Sequence, residues 1–98
     1  MEITQITKRD FSQQPFALYK ITDAILKAMT AVDNGQMIDA QNIAEQVHAV
    51  LLDRKTQDET YAPTVEEVQD VVEQKLMLSE FQDVAKAYII YRNQQAQG

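Results

Sequence analysis

Apolar residues recur at helical spacing in four separate stretches of the 98-residue chain, and this periodicity constrains the fold more than any other feature. Asp39 has the residue type and position to cap the second helix. Thr64, with Glu67 three residues later, forms a capping box before the third. Ser79 with Gln82 repeats that signal before the fourth. The predicted helices span residues of about 19–32, 39–53, 64–77 and 79–93, and short connections between them predict a bundle.

The residues before the first helix favour strand. The opening segment is rich in Ile and Thr, and a turn follows it. A short segment after the turn can return as a second strand, and a β-favouring stretch before the third helix can add another. The predicted strands span residues of about 2–8, 15–18 and 60–62. The predicted fold class is mostly α: a four-helix bundle capped by a small N-terminal three-stranded β-sheet, in one domain over residues 1–98.

Composition excludes several classes of function. The chain has no cysteine, which rules out disulfides, thiolate metal sites and cysteine nucleophiles. No apolar run approaches the ~20 residues of a membrane span, and the N-terminus lacks the apolar stretch of a signal peptide. We therefore expect no membrane partner and a cytoplasmic location. A net charge of −6 and a pI near 4.6 argue against binding nucleic acid.

The residues capable of catalysis or metal binding do not form a recognisable constellation, so no catalytic residue is predicted. His48 is the only histidine, and a half-buried or surface position is favoured over a catalytic or metal-binding role. An acidic run at helical spacing favours a solvated helix face over a metal site, and comprises Glu66, Glu67, Asp70 and Glu73. Two glycines are too few for a Gly-rich phosphate loop.

The basic residues are distributed unevenly. Residues 1–27 hold four basic and three acidic side chains, a balance of +1, while the rest hold five and twelve, a balance of −7. Lys8 and Arg9 end the first predicted strand, and Lys20 lies in the first turn of the first helix, where a cation is unfavourable unless an anion compensates it. Two interpretations remain open from spacing alone: a phosphate or nucleotide site, or a scattered set of solvated cations.

Four segments occur in the order "ITKRD", "YKITDAILKA", "VEEVQDVVEQKLM" and "DVAKAYIIYR". Together they resemble the ATP-cone domain, a regulatory module at the N-terminus of ribonucleotide reductases that also occurs in a transcriptional repressor of reductase genes. The resemblance runs from about Ile3 to Arg92. It implies a four-helix bundle under a three-stranded cap, in agreement with the periodicity.

The resemblance also implies a ligand. In the family, ATP and dATP bind under the cap near the first helix, and Mg²⁺ is expected to accompany the triphosphate. The implied nucleotide-binding positions are Ile6, Lys8, Arg9, Lys20, Ile21, Gln69 and Arg92. The resemblance assigns Lys8, Arg9 and Lys20 to phosphate-contacting positions, and the two isoleucines to the adenine end of the site. The positions in the third and fourth helices would close the pocket.

One residue departs from the family pattern. Members often have Lys-Arg-Asp-Gly or Lys-Arg-Asn-Gly at the first turn, whereas Phe11 replaces the glycine in this chain. A positive φ is costly for phenylalanine, so we expect a turn of another type or a longer one.

The implied function is regulatory rather than enzymatic. ATP permits an active assembly of the reductase, and dATP favours an inactive oligomer, so partners would be other reductase domains or subunits and further copies of the domain. The chain could be an excised N-terminal domain or a free-standing one, and we expect the former. The sequence leaves open whether the parent is a catalytic, a radical-generating or an anaerobic reductase chain. The alternative is a helical protein-interaction module without a small-molecule ligand, and a nucleotide-dependent change in melting temperature separates the two.

Overall fold

The computed structural model describes residues 2–97, and most of these residues are helical. The two strands and four helices are β1 (Gln5–Thr7), β2 (Gln13–Pro15), α1 (Leu18–Ala31), α2 (Met37–Gln57), α3 (Val65–Met77) and α4 (Gln82–Gln97). The helical class and the four helices are confirmed. The strands form a two-stranded antiparallel sheet in which Ile6 pairs with Gln14.

The prediction of a third strand at residues 60–62 is wrong. Thr7 N–H donates to Pro63 O at 2.9 Å, and Thr7 forms an isolated parallel bridge with Thr64. The pairing extends no further because the local backbone is otherwise engaged. Thr60 N–H donates to Asp58 Oδ1 at 3.0 Å in a tight turn, and Pro63 has no N–H to offer. The segment is therefore tied to the hairpin at one point without joining its sheet.

The element boundaries differ from the expected ones by a few residues. β2 ends at Pro15 because the chain must turn into α1, which begins at Leu18 after the extended residue Ala17. In α2 the N-cap is Gln36, and Asp39 is the third helical residue of a capping box, accepting a hydrogen bond from Gln36 N–H at 2.8 Å. Helix α3 has the expected capping box at its start. Helix α4 begins at Gln82.

The core fills the centre of the bundle, since α1 and α3 each pack against both α2 and α4. The largest fully buried side chains come from all four helices and include Ile25, Met29, Val47, Leu51, Val72, Leu76 and Val84. Burying such side chains is the dominant favourable term in folding. Within the residues described, no helix combines the length and the apolar character that crossing a membrane requires.

A polar network joins the end of α2 to the start of α3. Arg54 and the Tyr61 hydroxyl both donate hydrogen bonds to Glu67 Oε2, and Lys55 Nζ donates to the carbonyl of Tyr61 at 3.1 Å. Burial, followed by the hydrogen bond with Glu67, raises the pKa of Tyr61 to about 12. The network holds the segment whose Pro63 accepts the bond from the hairpin, and so fixes the hairpin against α3.

Candidate functional site

Two adjoining hollows lie where the hairpin meets the bundle. The first, the apolar hollow, has a volume of about 200 Å³ and is bordered mainly by hydrocarbon, including Ile6, Phe16, Ile21, Val68, Tyr88 and Tyr91. The second, the polar hollow, has a volume of about 510 Å³ and is bordered by Lys8, Arg9, Asp10, Val65, Gln69, Tyr91 and Gln95. Four residues border both, so the hollows form one cleft: Lys8, Val65, Gln69 and Tyr91. The volume of the polar hollow, even without the apolar one, lies in the range of roughly 300–1,000 Å³ that is typical of small-molecule sites.

The hairpin turn brings two successive cations to the same hollow. Lys8 N–H donates to Ser12 O at 2.8 Å, and Phe11 N–H donates to Lys8 O at 2.9 Å. These two bonds close a three-residue loop of the type that ends in a left-handed residue. Alternation along a strand would send Lys8 and Arg9 to opposite faces, but the chain leaves the strand at Lys8. Both side chains therefore border the polar hollow.

The turn residue Phe11 overturns one expectation. Its φ is +68°, the left-handed conformation that a glycine would adopt here, so the turn keeps the glycine geometry. Neighbouring hydrogen bonds hold the loop, because Asp10 Oδ1 accepts from both the hydroxyl and the N–H of Ser12. Those bonds lower the pKa of Asp10 below its ordinary value. Phe11 is 88% exposed, so its side chain packs against little.

Helix α1 supplies the third predicted cation. Lys20 lies in its first turn and borders the apolar hollow beside Lys8. No acidic residue of that turn compensates it, so the N-terminal end of the helix is doubly positive. The predicted adenine-end residues are also present, since Ile21 is buried and Ile6 is partly buried at the wall of the same hollow.

Gln69 contributes a buried polar atom to the cleft. The residue is 9% exposed, it borders both hollows, and its Oε1 has no hydrogen-bond partner among residues 2–97. A buried acceptor without a partner costs about 1–3 kcal/mol, and such atoms in native proteins usually have a ligand or water to bond. Gln69 can therefore accept a hydrogen bond from a group placed in the cleft.

Arg92 is the predicted site residue that does not border either hollow. Its Nη1 lies 2.8 Å from Asp70 Oδ1 and 2.7 Å from Glu73 Oε1, so two carboxylates of α3 hold the guanidinium. The acidic run that we interpreted as a solvated face thus includes the partners of this arginine. Arg9 is also paired, since its Nε lies 3.2 Å from Glu66 Oε1.

Sequence reasoning missed several cleft residues. Tyr88 and Tyr91 were not among the predicted site residues, yet both border the apolar hollow, and their ring centroids lie 6.1 Å apart. Two tyrosines three residues apart on a core-facing helix stripe were the available signal, because tyrosine adds a polar tip to an apolar body. Phe16 borders the hollow and stacks on the half-buried His48 at 5.7 Å, and the sequence carried no sign of that contact.

No group of three or more His, Asp or Glu side chains is placed to hold a metal ion within the described range 2–97. A magnesium ion that arrives with a nucleotide needs only one or two carboxylates in addition to phosphate oxygens and water. Asp10, which borders the polar hollow, is the carboxylate of suitable position.

The fold and cleft define a small helical domain whose hairpin closes an elongated site that is apolar at one end and cationic at the other. The family model described as the ATP cone domain matches residues 4–97, and the chain belongs to that family. The resemblance found in the sequence is confirmed.

The relatives of the chain are ribonucleotide reductases. The chain is 48% identical over 95 residues to the vitamin B12-dependent ribonucleoside-diphosphate reductase of Thermoplasma acidophilum, a match that covers 92% of the chain and 12% of that protein. It is 35% identical over 88 residues to the anaerobic ribonucleoside-triphosphate reductase of Haemophilus influenzae, covering 90% of the chain and 12% of the relative. The alpha subunit of the ribonucleoside-diphosphate reductase of Chlamydia pneumoniae is 35% identical over 98 residues, covering 96% and 9%. The chain thus spans about an eighth of the length of the first two relatives.

Proposed function

We propose that the cleft binds ATP and dATP, with the adenine in the apolar hollow and the phosphates extending past Lys8 into the polar hollow. The observation that carries the proposal is the junction of an apolar cavity with one that gathers Lys8 and Arg9 in a protein of net charge −6. Charge-assisted hydrogen bonds from lysine and arginine are the strong contacts to phosphate. Membership in the ATP-cone family supports the same ligand.

The proposed role of each residue follows from its position in the cleft. Ile6 and Ile21 would contact the base in the smaller hollow. Lys8 and Lys20 would contact the phosphates nearest the ribose, because both border the apolar hollow while Lys8 also borders the polar one. Gln69 would accept a hydrogen bond from the base or the ribose through its unpaired Oε1. Mg²⁺ would travel with the phosphates.

We further propose that nucleotide binding regulates a ribonucleotide reductase of which this domain is part, in the cytoplasm, and that the domain itself catalyses nothing. ATP would permit the active assembly and dATP would favour an inactive oligomer. Such a switch requires the two nucleotides to bind the two assemblies with different affinities. The reductase names of the relatives support the association.

An exposed groove supports the self-association part of the proposal. It lies between α1 and α4, has a volume of about 550 Å³, and is bordered mostly by apolar atoms, including those of Ala31, Val32 and Ile90. Ile90 is 59% exposed. Tyr91 borders this groove as well as both hollows of the cleft, so one side chain touches the ligand site and the exposed surface.

A thermal-shift series with ATP, dATP, GTP and inorganic phosphate tests the binding proposal. Ligand at ~100 times its dissociation constant should stabilise the domain by about 2.7 kcal/mol. We expect large upward shifts with ATP and dATP, and smaller ones with phosphate. The competing function, a helical interaction module that uses the α1/α4 groove alone, predicts no shift with any nucleotide.

A further inference from the structure

The Arg9–Glu66 ion pair places a carboxylate beside Arg9, which borders the polar hollow. Arg9 Nε lies 3.2 Å from Glu66 Oε1, and the two side chains are 48% and 40% exposed. The Oε1 atom itself is buried, and no hydrogen bond of good geometry reaches it from residues 2–97. Glu66 stands in the first turn of α3, next to Val65, which borders both hollows.

A phosphate that reaches Arg9 must either displace the Glu66 carboxylate or bind close to it. An arginine fork that is turned toward a carboxylate offers fewer donors to a phosphate. A displaced Glu66 would remain near the incoming anion, and like charges at close range repel. Both effects weaken the binding of any ligand group that lies beside Arg9.

The number of phosphates in the ligand decides whether it competes with Glu66 for Arg9. Lys8 stands at the junction of the hollows, whereas Arg9 borders only the polar one. If the base lies in the apolar hollow as proposed, a single phosphate would lie near Lys8 and Lys20, and only the outer phosphates of a longer chain would lie near Arg9.

We infer that Glu66 is a specificity-determining residue of the cleft: it pairs with Arg9 and competes for it with the outer phosphates of a nucleoside triphosphate. This inference rests on the proposed nucleotide-binding function and deepens it. Glu66 weakens triphosphate binding and leaves monophosphate binding unchanged. The competition keeps the domain's affinity for triphosphates lower than its cations alone would give.

Calorimetric titration of the parent, Glu66→Gln and Glu45→Gln with ATP and with AMP tests the inference. Glu45 is exposed on α2, so its replacement removes the same charge by the same chemical change away from the cleft. Glu66→Gln should raise ATP affinity about three- to tenfold, the scale of a partly exposed ion pair plus local repulsion. AMP affinity should stay within twofold, and Glu45→Gln should leave both affinities within twofold.

The outcomes are distinct. Unchanged or weaker ATP binding by Glu66→Gln would overturn the inference, and so would an equal gain for AMP and ATP. If the parent binds neither nucleotide, the proposed function fails first. A measurement on the parent avoids any folding defect of the variant: the Arg9 Nε–H resonance should shift when ATP is added and stay in place with AMP. An equal shift with both would also contradict the assignment.

Discussion

Replacing Phe11 by glycine should stabilise the domain, although it removes the larger side chain. Phe11 has a φ of +68° and is 88% exposed, so its ring contributes little packing while its Cβ is held in the left-handed region. That conformation costs a residue with a Cβ roughly 1–2 kcal/mol, and glycine removes this cost. The greater conformational freedom of glycine in the unfolded chain opposes the effect and destabilises the folded state by about 0.5–1 kcal/mol. The expected net stabilisation is about 0.5–1 kcal/mol.

Urea denaturation followed by circular dichroism measures the difference in free energy of unfolding between the variants. In a thermal melt of a domain of this size, the melting temperature should rise by roughly 2–8 °C. Phe11→Ala is the matched control, because it removes the ring and keeps the Cβ, and it should match the parent within ~0.5 kcal/mol. Phe11→Asn should fall between alanine and glycine, since asparagine tolerates the left-handed region. A glycine variant less stable than the alanine variant would refute the strain argument.

Three further predictions concern the cations, the polar network and the assembly. Lys8→Ala and Lys20→Ala should each weaken dATP binding by roughly 1.5–3 kcal/mol in calorimetric titration, because each removes a charge-assisted contact. Lys75→Ala on α3, which borders neither the cleft nor the α1/α4 groove, should bind dATP like the parent. Equal binding by all three variants would place the phosphates elsewhere. The free energy of unfolding should decrease as pH rises from 10.0 to about 12, because the unfolded chain releases the Tyr61 proton over that window while the folded state retains it. Tyr61→Phe should make this decrease smaller. An identical decrease in the variant would contradict the assignment to Tyr61. Light scattering should show a larger mass in dATP than in ATP or without nucleotide, and Ile90→Asp in the α1/α4 groove should reduce that difference; equal masses across a tenfold concentration range would argue against self-association of the domain.

Much of the helical architecture follows from local signals in the sequence. The capping box of Thr64 and Glu67 marks the start of α3 correctly, because that signal depends on two side chains and the adjacent backbone. Asp39 was assigned to the wrong cap position, since an aspartate three residues inside a helix can serve the same cap from the other side. Short-range rules therefore predicted the helices well and their first residues less well.

The sheet shows where local rules stop. Residues 60–62 have strand-favouring side chains, but whether they pair depends on which backbone donors remain free. Thr60 is bound to Asp58, and Pro63 has no donor, so a single bridge forms. Phe11 is a second case in which local preference fails, because the hairpin imposes a left-handed conformation that phenylalanine disfavours.

The cleft was predictable only in part. Lys8, Arg9 and Lys20 stood out because cations are rare and clustered near the N-terminus of an acidic chain. The pairing of Arg92 with Asp70 and Glu73 depends on how α3 faces α4, and one-dimensional spacing does not specify it. The Arg9–Glu66 pair likewise joins the hairpin to α3, and it became visible only with the fold.

A titration of the ¹⁵N-labelled domain with dATP, followed by amide chemical shifts, tests directly whether the cleft binds this nucleotide. Binding in the cleft should give saturable shifts concentrated at the hairpin turn around Lys8, the first turn of α1 around Lys20, and α3 around Gln69. Residues of α2 far from the cleft should change little. Spectra unchanged at millimolar dATP, or shifts confined to the α1/α4 groove, would contradict the claim.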